Sequence, residues 1–101
     1  MKRYYREFVR HCLSYYVSTL EIGTSPKFKS AADRANWVSC QAVAINLDPD
    51  DLALMCEIYG PGDTIPDKIY HLSKARRQSQ SYLWGFVEEL EYKVAKKRGL
   101  I

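Results

Sequence analysis

The chain has 101 residues, enough for one hydrophobic core but too few for two domains. Its hydrophobic fraction of 47% and charged fraction of 27% exclude a disordered chain, and no apolar run approaches the ~18 residues that a membrane span needs. The three cysteines, Cys12, Cys40 and Cys56, are widely spaced and indicate neither a disulfide framework nor a zinc site, so we expect reduced thiols and a cytoplasmic protein.

The charges are unevenly distributed along the chain, whose formal net charge is +3. Residues 1–44 hold seven basic and three acidic side chains, residues 45–67 hold six acidic and no basic ones, and residues 68–101 hold eight basic and three acidic ones. Clustered Lys and Arg supply the sequence-independent part of nucleic-acid affinity, because they neutralise phosphates. The last segment is therefore a candidate phosphate-binding surface; the alternative is an ordinary solvated face.

A first helix is predicted from about Arg3 to Ile22, because apolar residues recur there at helical spacing without Gly or Pro. The apolar positions are Tyr5, Phe8, Val9, Cys12, Leu13, Tyr16, Val17 and Leu20. The opposite face carries Lys2, Arg6, Arg10 and Ser14. The tyrosines of this helix, Tyr4, Tyr5, Tyr15 and Tyr16, suit either a core edge or a surface that packs against a partner.

Two further helices are predicted in the middle of the chain. Gly23, Thr24, Ser25 and Pro26 open a loop that runs through Lys29. Ser30 and Asp33 form a capping box for the second helix, and Asp48 followed by Pro49 begins a third, which should end at Tyr59 before Gly60-Pro61-Gly62. The residues expected to be buried are Trp37, Cys40, Val43 or Ala44, and Leu47 in the second helix, and Leu52, Met55 or Cys56, and Tyr59 in the third.

Two helices are predicted in the last third. Thr64 and Asp67, with Pro66 in the first turn, start a short helix with an inner side of Ile65, Ile69 and Leu72. The long final helix has an apolar stripe of Leu83, Val87, Leu90 and Val94, ends in Lys96, Lys97 and Arg98, and has Gly99 as its C-terminal cap. We therefore predict an all-α bundle of about five helices in one domain, with residues 1–47 as a scaffold and residues 48–101 as a helix-turn-helix half.

The turn before the last helix is the candidate DNA-binding site, because a helix-turn-helix sets its second helix in the major groove. Arg and Gln match the edges of guanine and adenine, and Ser suits phosphates. The candidate residues are Lys74, Arg76, Arg77, Gln78, Ser79, Gln80, Ser81, Tyr82 and Lys97, and Lys93, Lys96 and Arg98 could extend a phosphate footprint. The alternative is that Ser79 or Ser81 merely caps the helix and the arginines form a solvated turn.

Catalysis has little support in the sequence. His11 lies four residues after Glu7, and His71 lies four residues after Asp67; such pairs usually stabilise helix surfaces. Histidines at metal-ligand spacing and a Gly-rich nucleotide loop are absent from the sequence. We predict a protein that is not an enzyme and that uses no catalytic residue, metal or cofactor.

The second half of the chain contains several short stretches that together form a recognisable pattern: Asp50-Asp51-Leu52, Ile58-Tyr59, Asp63-Thr64-Ile65-Pro66, Trp84, and the ending Val94-Ala95-Lys96-Lys97-Arg98-Gly99-Leu100-Ile101. In these stretches the chain resembles the small phage-encoded transcriptional regulators of the late-gene and autolysin-regulatory type. The C-terminal part of those regulators is similar to the DNA-binding region four of sigma factors. The resemblance implies a prophage-derived transcriptional regulator that binds double-stranded DNA, with residues 78–84 as the reading end. The chain departs from the pattern by lacking the Gly usual in a helix-turn-helix turn.

The competing hypothesis is a non-enzymatic helical module for protein–protein interaction. In that case the chain forms a homodimer or binds another protein through the aromatic side of its first helix, and does not bind a membrane. The position of the basic residues should separate the two hypotheses, because DNA binding requires Lys74, Arg76, Arg77 and Lys97 on one face with the start of the last helix.

Overall fold

Five α-helices form the chain in the computed structural model, which describes residues 2–23 and 26–101. They are α1 (Arg3–Ile22), α2 (Ala31–Ala44), α3 (Pro49–Tyr59), α4 (Ile65–Arg76) and α5 (Gln80–Arg98). The predicted all-α bundle of five helices is confirmed, and α1 and α3 have the predicted bounds. Thr24 and Ser25 of the predicted loop lie outside the described residues.

The helix starts follow from local capping. The side chains of Ser30, Asp48, Thr64 and Ser79 each accept a hydrogen bond from the backbone N–H three residues later. A cap of this kind contributes about 1 kcal/mol to helix stability. At the other end of the chain, Gly99 has a φ of 82°, and the N–H of Leu100 donates to the carbonyl of Ala95 at 2.9 Å. This is the predicted left-handed C-terminal cap of α5.

Helix α5 lies at the centre of the packing, since it contacts α1, α2 and α4. The four residues of its predicted apolar stripe, Leu83, Val87, Leu90 and Val94, are all buried. They belong to one core with the buried residues of the other helices, which are Val9, Cys12, Leu13, Tyr16, Val17, Cys40, Val43, Ala44, Leu54, Met55, Ile58, Tyr59 and Ile69. One hydrophobic core therefore joins the two halves of the chain.

Burial along the other helices differs in part from the prediction. In α3, Met55 and Tyr59 are buried as expected, but Leu54 and Ile58 are also buried while Leu52 is only half-buried. Because α3 packs against both α1 and α4, it buries a wider face than a single stripe. In α1, Leu20 is 40% exposed although its spacing matches the apolar face.

A buried carboxylate joins α1, α3 and α5. Glu91 of α5 has a fully buried side chain. Its Oε2 accepts hydrogen bonds from Arg10 Nε at 2.7 Å and from the hydroxyl of Tyr59 at 2.8 Å. Arg6 Nε lies 3.7 Å from the other carboxylate oxygen. Arg6 and Arg10, placed by the sequence on the polar face of α1, are therefore half-buried and paired rather than solvated.

In the part of the chain that the structure describes, every helix is too short or too polar to cross a lipid bilayer.

Candidate nucleic-acid interface

Three residues, Arg77 to Ser79, connect α4 to α5. Arg77 has φ 55° and ψ 42°, in the left-handed region, and its N–H bonds to the carbonyl of Ser73. The N–H of Gln78 donates to the same carbonyl at 3.1 Å. Glycine usually occupies such a position because a Cβ is strained there. Arg77 thus takes the place of the Gly that the turn lacks.

The first turn of α5 projects into solvent. Ser79, Gln80, Ser81 and Tyr82 are all exposed. Ser79 Oγ accepts a hydrogen bond from the N–H of Tyr82 at 3.0 Å, so Ser79 is the N-cap of α5. A capping role for Ser79 was the alternative to a role in DNA binding. Polar side chains and the positive end of the helix dipole therefore face the same way, which favours anions.

Two unpaired basic side chains flank this turn. Lys74 and Arg77 are exposed, and neither forms an ion pair with any residue that the structure describes. Lys74 Nζ lies 4.4 Å from the centroid of the Tyr70 ring, a cation–π contact that leaves the ammonium at the surface. We call the surface formed by Lys74, Arg77, Gln80, Ser81 and Tyr82 the turn surface.

Arg76 and Gln78 are turned towards the fold instead. The Arg76 side chain is 20% exposed and lies 3.2 Å from Asp50 Oδ1 and 3.9 Å from Glu57 Oε2. Its charge therefore ties the end of α4 to α3. Gln78 is half-buried, and its Oε1 is buried without a hydrogen-bond donor among the described residues. The predicted roles of these two residues in base or phosphate contact have no support from their positions.

Lys97 lies far from the turn surface. It is seventeen residues after Gln80 on the same helix, a separation of about 25 Å at 1.5 Å per residue. It lines a groove with Lys93 and Lys96, and the neighbouring Arg98 donates to Asn36 Oδ1 at 2.6 Å. The basic residues of the last third therefore form two separate groups rather than the single face that DNA binding was expected to require.

Acidic side chains limit how much of α5 could approach DNA. Glu88 and Glu89 are exposed in the middle of the helix. Asp51 of α3 lines the same small recess as Glu89, and burial, together with the charges of Asp48 and Asp50, raises the pKa of the Asp51 carboxyl. A polyanion would be repelled from this region, so only the first two turns of α5 are suited to DNA.

The aromatic surface predicted for the alternative hypothesis is divided between surface and core. Tyr4 and Tyr15 are exposed, but Tyr5 is half-buried and Tyr16 is buried. The hydroxyl of Tyr16 donates to Gln41 of α2. The four tyrosines of α1 therefore form no continuous exposed patch.

The cysteines are free and lie in or beside the core. Cys12 and Cys40 are buried and Cys56 is half-buried. Burial raises the pKa of all three thiols, that of Cys40 to about 12, so they remain protonated near neutral pH. Among the described residues, no group of three or more His, Cys, Asp or Glu side chains could hold a metal ion.

Comparison of the chain with protein-family models, curated proteins and solved structures yields no match.

Proposed function

We propose that this protein binds double-stranded DNA through the turn surface and acts as a transcriptional regulator of the prophage type. The observation that carries the proposal is the conformation of Arg77. Within the described residues it is the one non-glycine residue with a positive φ, and it is exposed and unpaired beside the first turn of α5.

An arginine at this position costs folding stability. A left-handed conformation is about 1 kcal/mol less favourable for a residue with a Cβ than for glycine. The guanidinium forms no ion pair within the described part of the fold that could offset this cost. A strained residue that offers its charge to solvent is typical of a binding site, where the strain is offset by the ligand.

The chemistry of the turn surface matches a helix that enters the major groove by its first turns. In this proposal the exposed Lys74 and Arg77 contact phosphates, and Gln80 offers a paired donor and acceptor to adenine. Ser81 and Tyr82 add hydroxyl groups to the same exposed turn. Two phosphate contacts predict a log–log salt slope of about −2 for this module.

The test is fluorescence-anisotropy binding of the full chain to random duplex DNA at low and moderate salt. The informative variant is Arg77→Gly, because it removes the charge while relieving the backbone strain. We expect weaker binding and a salt slope that is shallower by about 1. Arg34→Gln is the matched control, since Arg34 is exposed on α2 and unpaired among the described residues; it should leave the slope unchanged.

Two results would overturn this proposal. The first is an absence of binding by the unmodified chain at low salt. The second is equal loss of affinity in Arg77→Gly and Arg34→Gln, which would indicate a diffuse charge effect. Either result leaves protein–protein interaction as the alternative function.

A further inference from the structure

A cavity of about 270 Å³ lies between α1 and the first half of α2, and the loop that joins the two helices forms part of its wall. Its volume is just below the ~300–1,000 Å³ typical of ligand sites, so it suits a ligand smaller than a drug-sized molecule. The described residues that line it belong to α1, α2 and this loop. The turn surface belongs to α4 and α5, so the cavity is a separate candidate site.

Packing contacts hold the loop against the two helices. The ring centroid of Phe28 lies 6.0 Å from that of Trp37 in α2, and Trp37 lies 5.2 Å from Tyr16 of α1. The hydroxyl of Tyr15, which lines the cavity, donates to the carbonyl of Lys27 at 3.4 Å. The cavity is therefore preorganised, which lowers the entropy cost of binding a ligand.

The inner part of the cavity is apolar and uncharged. Cys12 is buried and Phe8 is half-buried, and both line it. Burial raises the pKa of the Cys12 thiol, and the charge of Arg98 offsets this rise only in part, so the thiol is neutral near pH 7. Such a floor accepts the hydrocarbon body of a ligand, but it does not replace the water around a small hydrated ion such as phosphate.

The rim of the cavity is positively charged. Lys27 and Lys29 are exposed there, and neither forms an ion pair with any residue that the structure describes. Asp33 is the one acidic residue among the described residues of the lining, and the two ammonium groups outnumber its carboxylate. The rim therefore favours an anion over a cation or a neutral molecule.

Asn36 supplies an oriented hydrogen-bond donor to the same cavity. Its Oδ1 accepts a hydrogen bond from Arg98 Nε at 2.6 Å. Because an arginine side chain can only donate, this contact fixes which atom of the amide is the oxygen. The groups that Asn36 can still offer to a ligand are the two N–H groups of its amide, which require an acceptor.

We propose that this cavity binds a small carboxylate whose apolar body is about the size of one ring. The body lies against Phe8 and Cys12, and the carboxylate accepts hydrogen bonds from Asn36 and pairs with the ammonium groups of the rim. An apolar floor beneath a cationic rim is the combination that such a ligand requires. The site does not depend on DNA binding, because the turn surface contributes none of these residues.

The test uses benzoate, which joins a carboxylate to one aromatic ring. A two-dimensional NMR titration of the full chain at neutral pH measures its affinity and locates it by the residues whose signals shift. We expect a dissociation constant of about 1 mM for a ligand of this size, with shifts at the cavity residues. Benzamide lacks the charge and acetate lacks the ring, so each should bind about 10-fold more weakly. The proposal is overturned if benzoate shifts no cavity residue, or if either analogue binds equally well.

Two changes at the rim should alter the affinity for benzoate in opposite directions. Lys27→Gln with Lys29→Gln should weaken binding about 10-fold, whereas Asp33→Asn should strengthen it about 3-fold by removing a repelling carboxylate. All three side chains are exposed, so the fold is retained. Lys96→Gln with Lys97→Gln is the matched control, because it removes the same charge at a separate groove beside the C-terminal end of α2. Equal weakening by the two lysine pairs would overturn the site, since net charge alone would then explain the binding.

Asn36→Asp tests the hydrogen-bond donor. An aspartate still accepts a hydrogen bond from Arg98, so the contact between α2 and α5 is kept, but a second carboxylate oxygen replaces the amide N–H groups. Benzoate binding should weaken by about 10-fold or more, while the thermal unfolding midpoint does not fall. Full affinity in this variant would overturn the proposed contact between Asn36 and the carboxylate.

Discussion

Arg10 of α1 donates a hydrogen bond of 2.7 Å to Glu91 of α5, although the two residues are 81 positions apart in the chain. The same carboxylate accepts the hydroxyl of Tyr59, so helices from both halves of the chain converge on it. Neither Glu91 nor Arg10 lines a pocket described above. The pair therefore serves to fix α5 against α1, and so to hold the turn surface in place.

Replacing Glu91 by alanine should strongly destabilise the fold. Glu91→Ala leaves Arg10 without its partner and the hydroxyl of Tyr59 buried without an acceptor, at a cost of about 3–5 kcal/mol. Tyr59→Phe removes only one neutral donor and should cost about 1 kcal/mol. Urea unfolding followed by circular dichroism measures both. If both variants lost only about 1 kcal/mol in their free energy of unfolding, the central role of Glu91 would be contradicted.

The same cluster predicts a loss of stability in alkali. Burial, followed by the charge of Glu91 and its hydrogen bond, raises the pKa of Tyr59 well above 10.0. Since the folded chain holds this proton more tightly than the unfolded chain, the stabilisation is complete below about pH 10. Above that pH the stability falls by about 1.4 kcal/mol per pH unit until the folded phenol also ionises.

Tyr59→Phe isolates this contribution, because phenylalanine does not ionise. Urea unfolding between about pH 8 and pH 11 should show a shallower decline for the variant than for the native chain. The thiol of Cys40 has a pKa of about 12 in the folded chain, so its ionisation also lowers the free energy of unfolding above about pH 9. This contribution is the same in Tyr59→Phe and in the native chain. Parallel pH profiles would show that Tyr59 ionises alike in the folded and unfolded chains.

The helices were predictable because their start signals are local. Ser30, Asp48, Thr64 and Ser79 each cap an N–H only three residues away, so the capping pattern can be read from the sequence. Glu91 was missed because its partners lie on other helices. One clue was present: Glu91 follows Leu90 and precedes Val94, inside the apolar stripe, where an acidic side chain needs a buried partner.

The candidate site was predictable only in part, for the same reason. The turn and the polar start of α5 follow from short-range sequence signals. Whether a basic side chain is free depends on what the tertiary fold places beside it. Arg76 meets Asp50 of α3, while its neighbour Arg77 points to solvent. Nothing in the sequence distinguishes these two arginines. The position of Lys97, in contrast, follows from the sequence, because the predicted final helix already ends at Lys96, Lys97 and Arg98.

Introducing a glycine at the end of α4 and removing the glycine at the end of α5 should change the stability of the fold in opposite directions. Arg77 and Gly99 both follow the last residue of a helix and both have a left-handed backbone. Arg77→Gly should stabilise the fold by about 1 kcal/mol, and Gly99→Ala should destabilise it by about the same amount. A Cβ on Gly99 would meet no atom within 4 Å, so the second effect reports backbone strain alone. Thermal and urea unfolding measure both; a destabilised Arg77→Gly would mean that the guanidinium stabilises the fold.

Gly85 offers a test that separates stability from DNA binding on α5 itself. It lies inside the helix, is exposed, and would meet nothing within 4 Å if it carried a Cβ. Gly85→Ala should therefore stabilise the fold by about 0.5–1 kcal/mol, measured by urea unfolding. Glycine weakens a helix, and no neighbouring atom of the fold requires its small size at position 85. Under the proposed function, the missing side chain lets DNA approach the backbone of α5 closely.

Under the proposed function, Gly85→Glu should lower the affinity for duplex DNA by more than about 10-fold, because it sets a carboxylate beside phosphates. Ala31→Glu is the matched control, since it adds the same charge at an exposed position of α2. Asn36 of the same helix bonds to Arg98, at the opposite end of α5 from the turn surface. The affinity of the Ala31→Glu variant for duplex DNA should change far less in the same anisotropy titration. Equal losses in the two variants would show that net charge, and not the start of α5, governs binding to DNA.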